Sequence, residues 1–422
     1  MMNNTKFDKN TRIVIIGAGA AGLSAANALK QKGYEDITIL EKLDRPGGKS
    51  LSFFVDGRSY ELGTNFLAPY YKNTFKLFKE FNLDYQRFTQ KVQFFNTDGS
   101  VIEFKKMKDW TTVVKILWEI LFIFPVITFK YRKIYQPGFS NIPSELYQPF
   151  STFCRSHQIT NIYSFVKKII TNFGYGYSDD ISTAYFFKYL RLSLLISFFF
   201  RRKNIFPEQG WGNIFSEISK HFHVIYNQNI IKITRNEKIV IQTETEIYEF
   251  DKIIIACPLD NFINIVDISP KSKDLLSKIE YHDYYCLAFA VDNLPNINKA
   301  YIVGDNQLKE NQPSLLCWWR RWIDSNICTF YTIANPKDSA EKVESKIKAD
   351  IEKLGGKIIE KYYIKKWKYF PHVSPEVMQD GFYEKLEKCQ GKNNTYITGE
   401  IMNFSLVESV IEYSKFLIEK YF

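Results

Sequence analysis

The chain has 422 residues, 45% hydrophobic and 24% charged, with a formal net charge of +10, a length that exceeds one ordinary core and suits about two domains. The excess cation fits anionic lipid, nucleic acid or acidic substrates, but the basic runs are short and dispersed and none sits in a nucleic-acid signature, which excludes a nucleic-acid partner. Six cysteines without a C-x-x-C pair and five scattered histidines exclude a disulfide framework and a metal knuckle.

The opening MMNNTKFDKNT is polar and lacks the apolar core of a secretory signal, which fits a cytoplasmic protein. Ile13 to Ile16 form a continuous apolar run, the pattern of a parallel strand buried on both faces. Gly17, Gly19 and Gly22 follow in G-x-G-x-x-G spacing and open the helix-favouring stretch LSAANALKQK, which Gly33 stops. A second strand, 36–40, ends in Glu41. This is the complete context of a dinucleotide site. Gly17 permits the tight turn, Gly19 lets backbone approach a pyrophosphate, and Gly22 lets the helix pack on the strand. The helix N-terminus attracts the phosphates and Glu41 accepts hydrogen bonds from ribose hydroxyls. Gly47-Gly48 then offers a second loop without side chains to the same pyrophosphate, with Arg45 and Lys49 adding positive charge. An NAD-dependent dehydrogenase does not need that second loop.

The most apolar window, Trp110 to Phe124, is too short to span a bilayer and carries Lys115 and Glu119 before Pro125. Thr111, Lys115 and Glu119 sit four apart, a narrow polar stripe that suits a mostly buried helix or one resting on a membrane; burial is the expectation. Next, TNFGYGYSDDISTAYFFKYL (171–190) runs into YLRLSLLISFFFRRK (189–203), a core helix with a basic end or a membrane-docking element. HVIYNQNIIKITRNEKIVIQTETEIYEFDKIIIACP reads as successive strands ending in the run Ile253 to Cys257. Near the C-terminus, NTYITGEIMNFSLVESVIEYSKFLIEKYF is a strand, Gly399-Glu400 and an amphipathic helix. Aromatic residues are abundant at 17%, enough to line a long apolar cavity.

The pattern E-x-x-x-R-x-G-G-K from Glu41 to Lys49 resembles the flavin-containing amine oxidase superfamily, with Lys49 where Arg is commoner. Within it, F-G-Y-G, A-Y-x-x-K-Y-L, Y-F-P-H-V-S and G-E-I-M-x-F resemble the polyenoic fatty acid isomerases, FAD enzymes that make conjugated linoleic acid. The likeness runs over nearly the whole chain and is weakest across 100–165. It implies an α/β fold, a Rossmann-like FAD-binding domain of the amine oxidase type with an interleaved α+β substrate domain. Residues 1–75, 205–290 and 388–422 would build the first. Residues 76–204 and 291–387 would build the second from mostly helical, membrane-facing or tunnel-lining segments.

The resemblance further implies FAD contacts from Gly17, Gly19, Ala21, Gly22, Glu41 and Lys42, and from Gly47, Gly48, Lys49, Thr64 and Asn65. Ile230 would meet the adenine through its backbone, and Gly399 and Glu400 the ribityl chain and pyrophosphate. No S-G-G-C segment is present, so FAD is expected to be noncovalent. The implied substrate is a free polyunsaturated, linoleate-like fatty acid. Hydride would leave the bis-allylic carbon for flavin N5 and return at another carbon, giving a conjugated diene without net redox change. An aromatic pocket would protect the pentadienyl cation. The family holds the carboxylate with an Arg whose place here is taken by Val92. Lys91 and then Arg87 are the nearest substitutes, against the plain reading of Lys91 as a solvated strand-end lysine. Phe198 matches a gating aromatic, and Tyr369 and Phe370 would flank the flavin. Two other readings share these motifs: an FAD-dependent amine or isoprenoid oxidase or desaturase, and a non-catalytic lipid-binding flavoprotein with peripheral membrane contact. No obligate protein partner is evident.

Overall fold

The runs IVII and ITIL are buried along their whole length, as strands covered on both faces must be. They form β1 (Ile13–Ile16) and β2 (Ile37–Leu40), joined by α1 (Ala20–Gln31) into a parallel unit with Ile13 opposite Ile37 and Ile16 opposite Leu40. The structure is a computed structural model that describes residues 8–102, 110–190 and 204–422. It extends this unit to five parallel strands in the order Thr395–Ile397, Lys252–Ile255, β1, β2, His223–Ile225. A three-stranded antiparallel meander spans Ile230–Arg235, Ile239–Thr243 and Ile247–Phe250. The C-terminal helix Val407–Tyr421 packs on α1.

The second unit is built on a six-stranded sheet in the order Lys357–His372, Glu280–Asp292, Ile327–Ala334, Cys317–Trp319, Lys299–Val303, Val92–Asn96. Its last pair is parallel and the rest antiparallel. Pleating divides Glu280–Asp292 between two cores. Tyr285, Leu287, Phe289 and Val291 pack with Val343, Ile347 and Ile351, spaced four apart on helix Ala340–Lys353. Tyr284, Cys286, Ala288 and Ala290 face the opposite way, toward Tyr301, Trp319 and Tyr331. The expected boundary at 290 therefore falls inside a strand, and the second unit takes in the chain from Glu280. The 291–387 piece also differs from the mostly helical expectation. It supplies four strands of this sheet, from β-branched and aromatic runs such as ICTFYTIA.

Helices come instead from 110–190, and one of them corrects a sequence expectation. Helix Trp110–Trp118 runs through a wide π-turn, Glu119–Ile123, into helix Phe124–Lys130. It was expected to be buried, yet Trp118 is 56%, Leu121 61% and Phe129 70% exposed. Glu119, expected on a polar stripe, is buried. Its carboxylate accepts the N–H groups of Asn161 (3.0 Å) and Ile162 (2.7 Å) at the start of helix Asn161–Asn172. Those amides have no partner within their own helix, so the acid turns inward to them. Ile120, Phe124 and Ile127 follow it, and the other apolar side chains are left outside. No helix among the described residues is long and apolar enough to cross a membrane.

Candidate active site

Two glycine loops meet at the C-terminal edge of the parallel sheet. Gly17 sits at φ 107°, a left-handed value that a side chain resists. Gly47 N–H donates to Ala18 C=O (2.8 Å), joining the second loop to the first. A Cβ at Gly22 would lie 1.9 Å from the Gly17 carbonyl oxygen, so the glycine is what lets α1 close on β1. A Cβ at Gly19 or Gly48 would meet nothing but the other's Cα, at 3.9 and 3.5 Å, and one at Gly399 would meet nothing within 4 Å. These backbones line open space at the N-terminus of α1, where Ala21 lies in the first turn.

Glu41 is buried and aimed. It accepts Ala18 N–H (2.7 Å) and Leu43 N–H (2.9 Å), which leaves further lone pairs for ribose hydroxyls. Gln228 N–H donates to the Glu41 carbonyl (2.8 Å), which brings the strand beginning at Ile230 beside the acid. Lys42 is exposed. Arg45 donates to the carbonyls of Pro46 and Gly48 (both 3.0 Å), and Lys49 pairs with Glu400. The two cations expected to face a pyrophosphate are thus engaged by the loops themselves: Arg45 holds the turn, and Lys49 ties it to Gly399-Glu400. Thr64 Oγ1 lies 2.9 Å from Ser50 Oγ, and Asn65 Nδ2 donates to Gly63 C=O (3.1 Å) and to Tyr331 OH (3.0 Å). Open glycine backbone, a helix N-terminus and an oriented carboxylate together fit a dinucleotide of the FAD type.

Beside this cradle stands a wall of rings. Lys49 Nζ lies 5.6 Å from the centre of Tyr369, which stacks on Tyr175 (5.6 Å) and Tyr284 (5.1 Å). Tyr175 in turn touches Phe404 (4.8 Å) and Phe370 (5.4 Å). Tyr175, Phe370 and Phe404 line a small apolar cavity together with Ile170, Tyr185 and Tyr189. Phe370 (φ 50°) and Phe404 (φ 113°) hold backbone conformations that side chains rarely adopt, and each places its ring in this wall. Burial pushes the Tyr175 and Tyr189 phenols well above the usual tyrosine range, so the wall carries no charge.

The four sequence motifs come together here. Val373 N–H donates to Tyr185 OH (2.9 Å), Lys188 Nζ to Asn403 Oδ1 (2.6 Å), and Tyr175 OH to Ser405 C=O (3.3 Å). Behind Phe370, His282 and His372 lie with ring centres 4.7 Å apart. Burial, reinforced by His372, drives His282 down to about 3.

Tyr369 and Phe370, expected to flank the flavin, lie in the ring wall, Tyr369 beside Lys49. Lys91 and Arg87 do not enter the cavity; both are exposed. Lys91 is engaged through its backbone, its N–H donating to Asn298 Oδ1 (3.0 Å) and its carbonyl accepting from Lys299 N–H (3.1 Å). Phe198 lies outside the described residues. Tyr175, Tyr189 and Phe404 were missed as individual residues although their motifs stood out. Lys299, the strand partner of Val92, gave no signal because NINKAYIV reads as an ordinary edge.

The profile described as "Flavin containing amine oxidoreductase" matches residues 20–412. The chain belongs to this family. Membership implies a flavin-dependent oxidoreductase-type enzyme. The crystal structure of the CLA-producing fatty acid isomerase from P. acnes superposes with a TM-score of 0.92, at 29% identity over 98% of this chain and 99% of that one. Putrescine oxidase bound to putrescine shares the fold, with a TM-score of 0.71 at 12% identity over 97% of this chain and 98% of that one. An uncharacterized protein of Acanthamoeba polyphaga mimivirus is 21% identical over 97% of this chain and 93% of its own length. The resemblance to fatty acid isomerases therefore extends across the whole family fold, from the glycine loops to the ring wall.

Proposed function

We propose that this chain is an FAD-dependent isomerase that moves a double bond of a free polyunsaturated, linoleate-like fatty acid into conjugation. The observation that carries the reading is the ring wall beside the glycine cradle, apolar and uncharged along its whole lining. The 29% identity to a fatty acid isomerase supports it. Noncovalently bound FAD, held by Gly17, Gly19, Gly22, Gly47, Gly48, Glu41 and Glu400, would supply reversible hydride exchange with a bis-allylic carbon. The rings do the rest. Tyr175, Phe370 and Phe404 exclude water, and their faces stabilise positive charge that develops on the lipid chain. No proton acceptor is called for, and the wall presents neutral phenols.

A lipid source fits the exposed face of the 110–130 helices. Leu121, Val126 and Phe129 point outward, Lys130, Arg132 and Lys133 are exposed at its end, and Glu119 is withdrawn. An anionic membrane complements that arrangement. The double variant Leu121→Ser/Phe129→Ser should sediment less with anionic phosphatidylserine vesicles while keeping its flavin. Undiminished sedimentation removes the membrane contact.

The test of the activity is anaerobic incubation with linoleic and linolenic acids while following diene absorbance, with peroxide assayed in a parallel aerobic reaction. Growing diene without oxygen uptake is expected. Flavin bleaching or peroxide with an amine or isoprenoid, and no diene from either acid, would replace the isomerase with an oxidase.

A further inference from the structure

Lys299 is 4% exposed and lies on a central-facing position of strand Lys299–Val303. Its ammonium stands 3.7 Å from the ring centre of Trp319, 4.3 Å from Phe173, 4.6 Å from Tyr301 and 5.3 Å from Phe66. Among the described residues its ammonium has no hydrogen-bond acceptor and no ion-pair partner. Lys188 offers a direct contrast: it is buried too, but donates to Gln136 C=O (2.5 Å) and Asn403 Oδ1 (2.6 Å). Ring faces attract a cation, yet they leave its N–H donors unmet, and a buried unpaired charge is costly. The cage lacks one thing, an anionic acceptor.

The surroundings say which kind. Among the described residues the cage wall is aromatic and holds no second cation over its rings, so it suits a single carboxylate better than a phosphate, which gathers several donors. Phe173 is shared between the cage and the cavity: its ring lies 6.0 Å from Tyr189 and 6.5 Å from Tyr175. Rings therefore run without interruption from Lys299 to the wall beside Glu400.

We propose that Lys299 is the group that receives the carboxylate of a long-chain acid whose hydrocarbon tail lies along Phe173 toward Tyr175 and Phe404. This rests on the fatty-acid reading above and names the residue that would enforce it. Burial holds the Lys299 amine well below the usual lysine range, opposed weakly by the Cys317 thiol beside it. An arriving carboxylic acid can therefore hand its own proton to the amine, forming the ammonium–carboxylate pair in place. A protonated amine brings no anionic acceptor for the cage, so the residue favours acids over amine substrates.

The experiment titrates lauric acid and 1-dodecanol into flavin-loaded protein by calorimetry, for the wild type, Lys299→Met and the exposed-lysine control Lys91→Met. The wild type should prefer the acid. Lys299→Met should weaken lauric acid by about 30-fold or more, as losing one partner of a buried charged pair does, and leave dodecanol within about threefold; Lys91→Met should change neither. Equal losses for acid and alcohol, or an acid affinity unchanged in Lys299→Met, overturn the assignment. If Lys299→Met does not load flavin, the wild type decides alone: dodecanol bound as tightly as lauric acid overturns it. Diene formation from linoleic acid is followed in parallel. Diene without acid preference removes Lys299 and keeps the isomerase; acid preference through Lys299 without diene from any polyunsaturated acid keeps the carboxylate site and removes the isomerase.

Discussion

The two halves of the site are made of different material. The cradle is backbone: Gly17, Gly19, Gly22, Gly47 and Gly48, fixed by short hydrogen bonds and by one carboxylate, Glu41. The wall is side chain: Tyr175, Tyr369, Phe370 and Phe404, drawn from three distant stretches and held by packing. Backbone geometry tolerates no added atom at Gly22, where the helix closes on the glycine turn, whereas a wall of rings is a sum of many small contacts and can lose one. The cradle should therefore fail abruptly and the wall by degrees.

The sharpest test is Gly22→Val. Its Cβ would fall 1.9 Å from the Gly17 carbonyl oxygen, a backbone clash that no rotamer relieves. We expect colourless protein destabilised by more than about 3 kcal/mol, read as flavin absorbance per chain and a urea melt. A yellow, stable variant would remove the distinction between the halves.

The buried histidines give an intermediate effect from behind the wall. His282 ordinarily titrates near 6.5 and is held at about 3 in the folded chain. Below pH 6.5 the unfolded chain takes up a proton that the folded one refuses, so stability is complete above 6.5 and is lost as pH falls toward 3. At about 1.4 kcal/mol per unit, roughly 2 kcal/mol should be gone by pH 5. Urea melts at pH 7 and pH 5 measure it, and His282→Phe should flatten the difference. An equal slope in that variant would assign the loss elsewhere.

The mildest change is Tyr175→Leu. It removes one ring face from the wall, and diene formation should slow by about tenfold with flavin content unchanged. Loss of flavin instead would mean that wall and cradle form one cooperative element.

Reading the sequence singled out the glycines and the acid that line the cradle, because their spacings lie within one βαβ unit and a nearby loop. It failed wherever a side chain's partner is remote. Glu119 looked like part of a solvated stripe until the amides of Asn161 and Ile162 claimed it, and that reversal exposed the apolar face of its helix. Lys49 looked like a phosphate ligand, yet Glu400 stands beside it. Lys91 looked like an anchor because of its place in the chain, and the pleat sends it to solvent.

What the sequence determined by itself was the nucleotide half: strand, glycine turn, helix, strand and acid lie within one local stretch and need no other part of the chain to be recognised. What only the tertiary structure decided was the environment of each charge. Lys49, Lys188 and Lys299 are alike on paper, but one meets a carboxylate, one an amide and a carbonyl, and one four aromatic rings. Desolvation and pairing set what a lysine can do, and both are properties of the folded neighbourhood rather than of the residue.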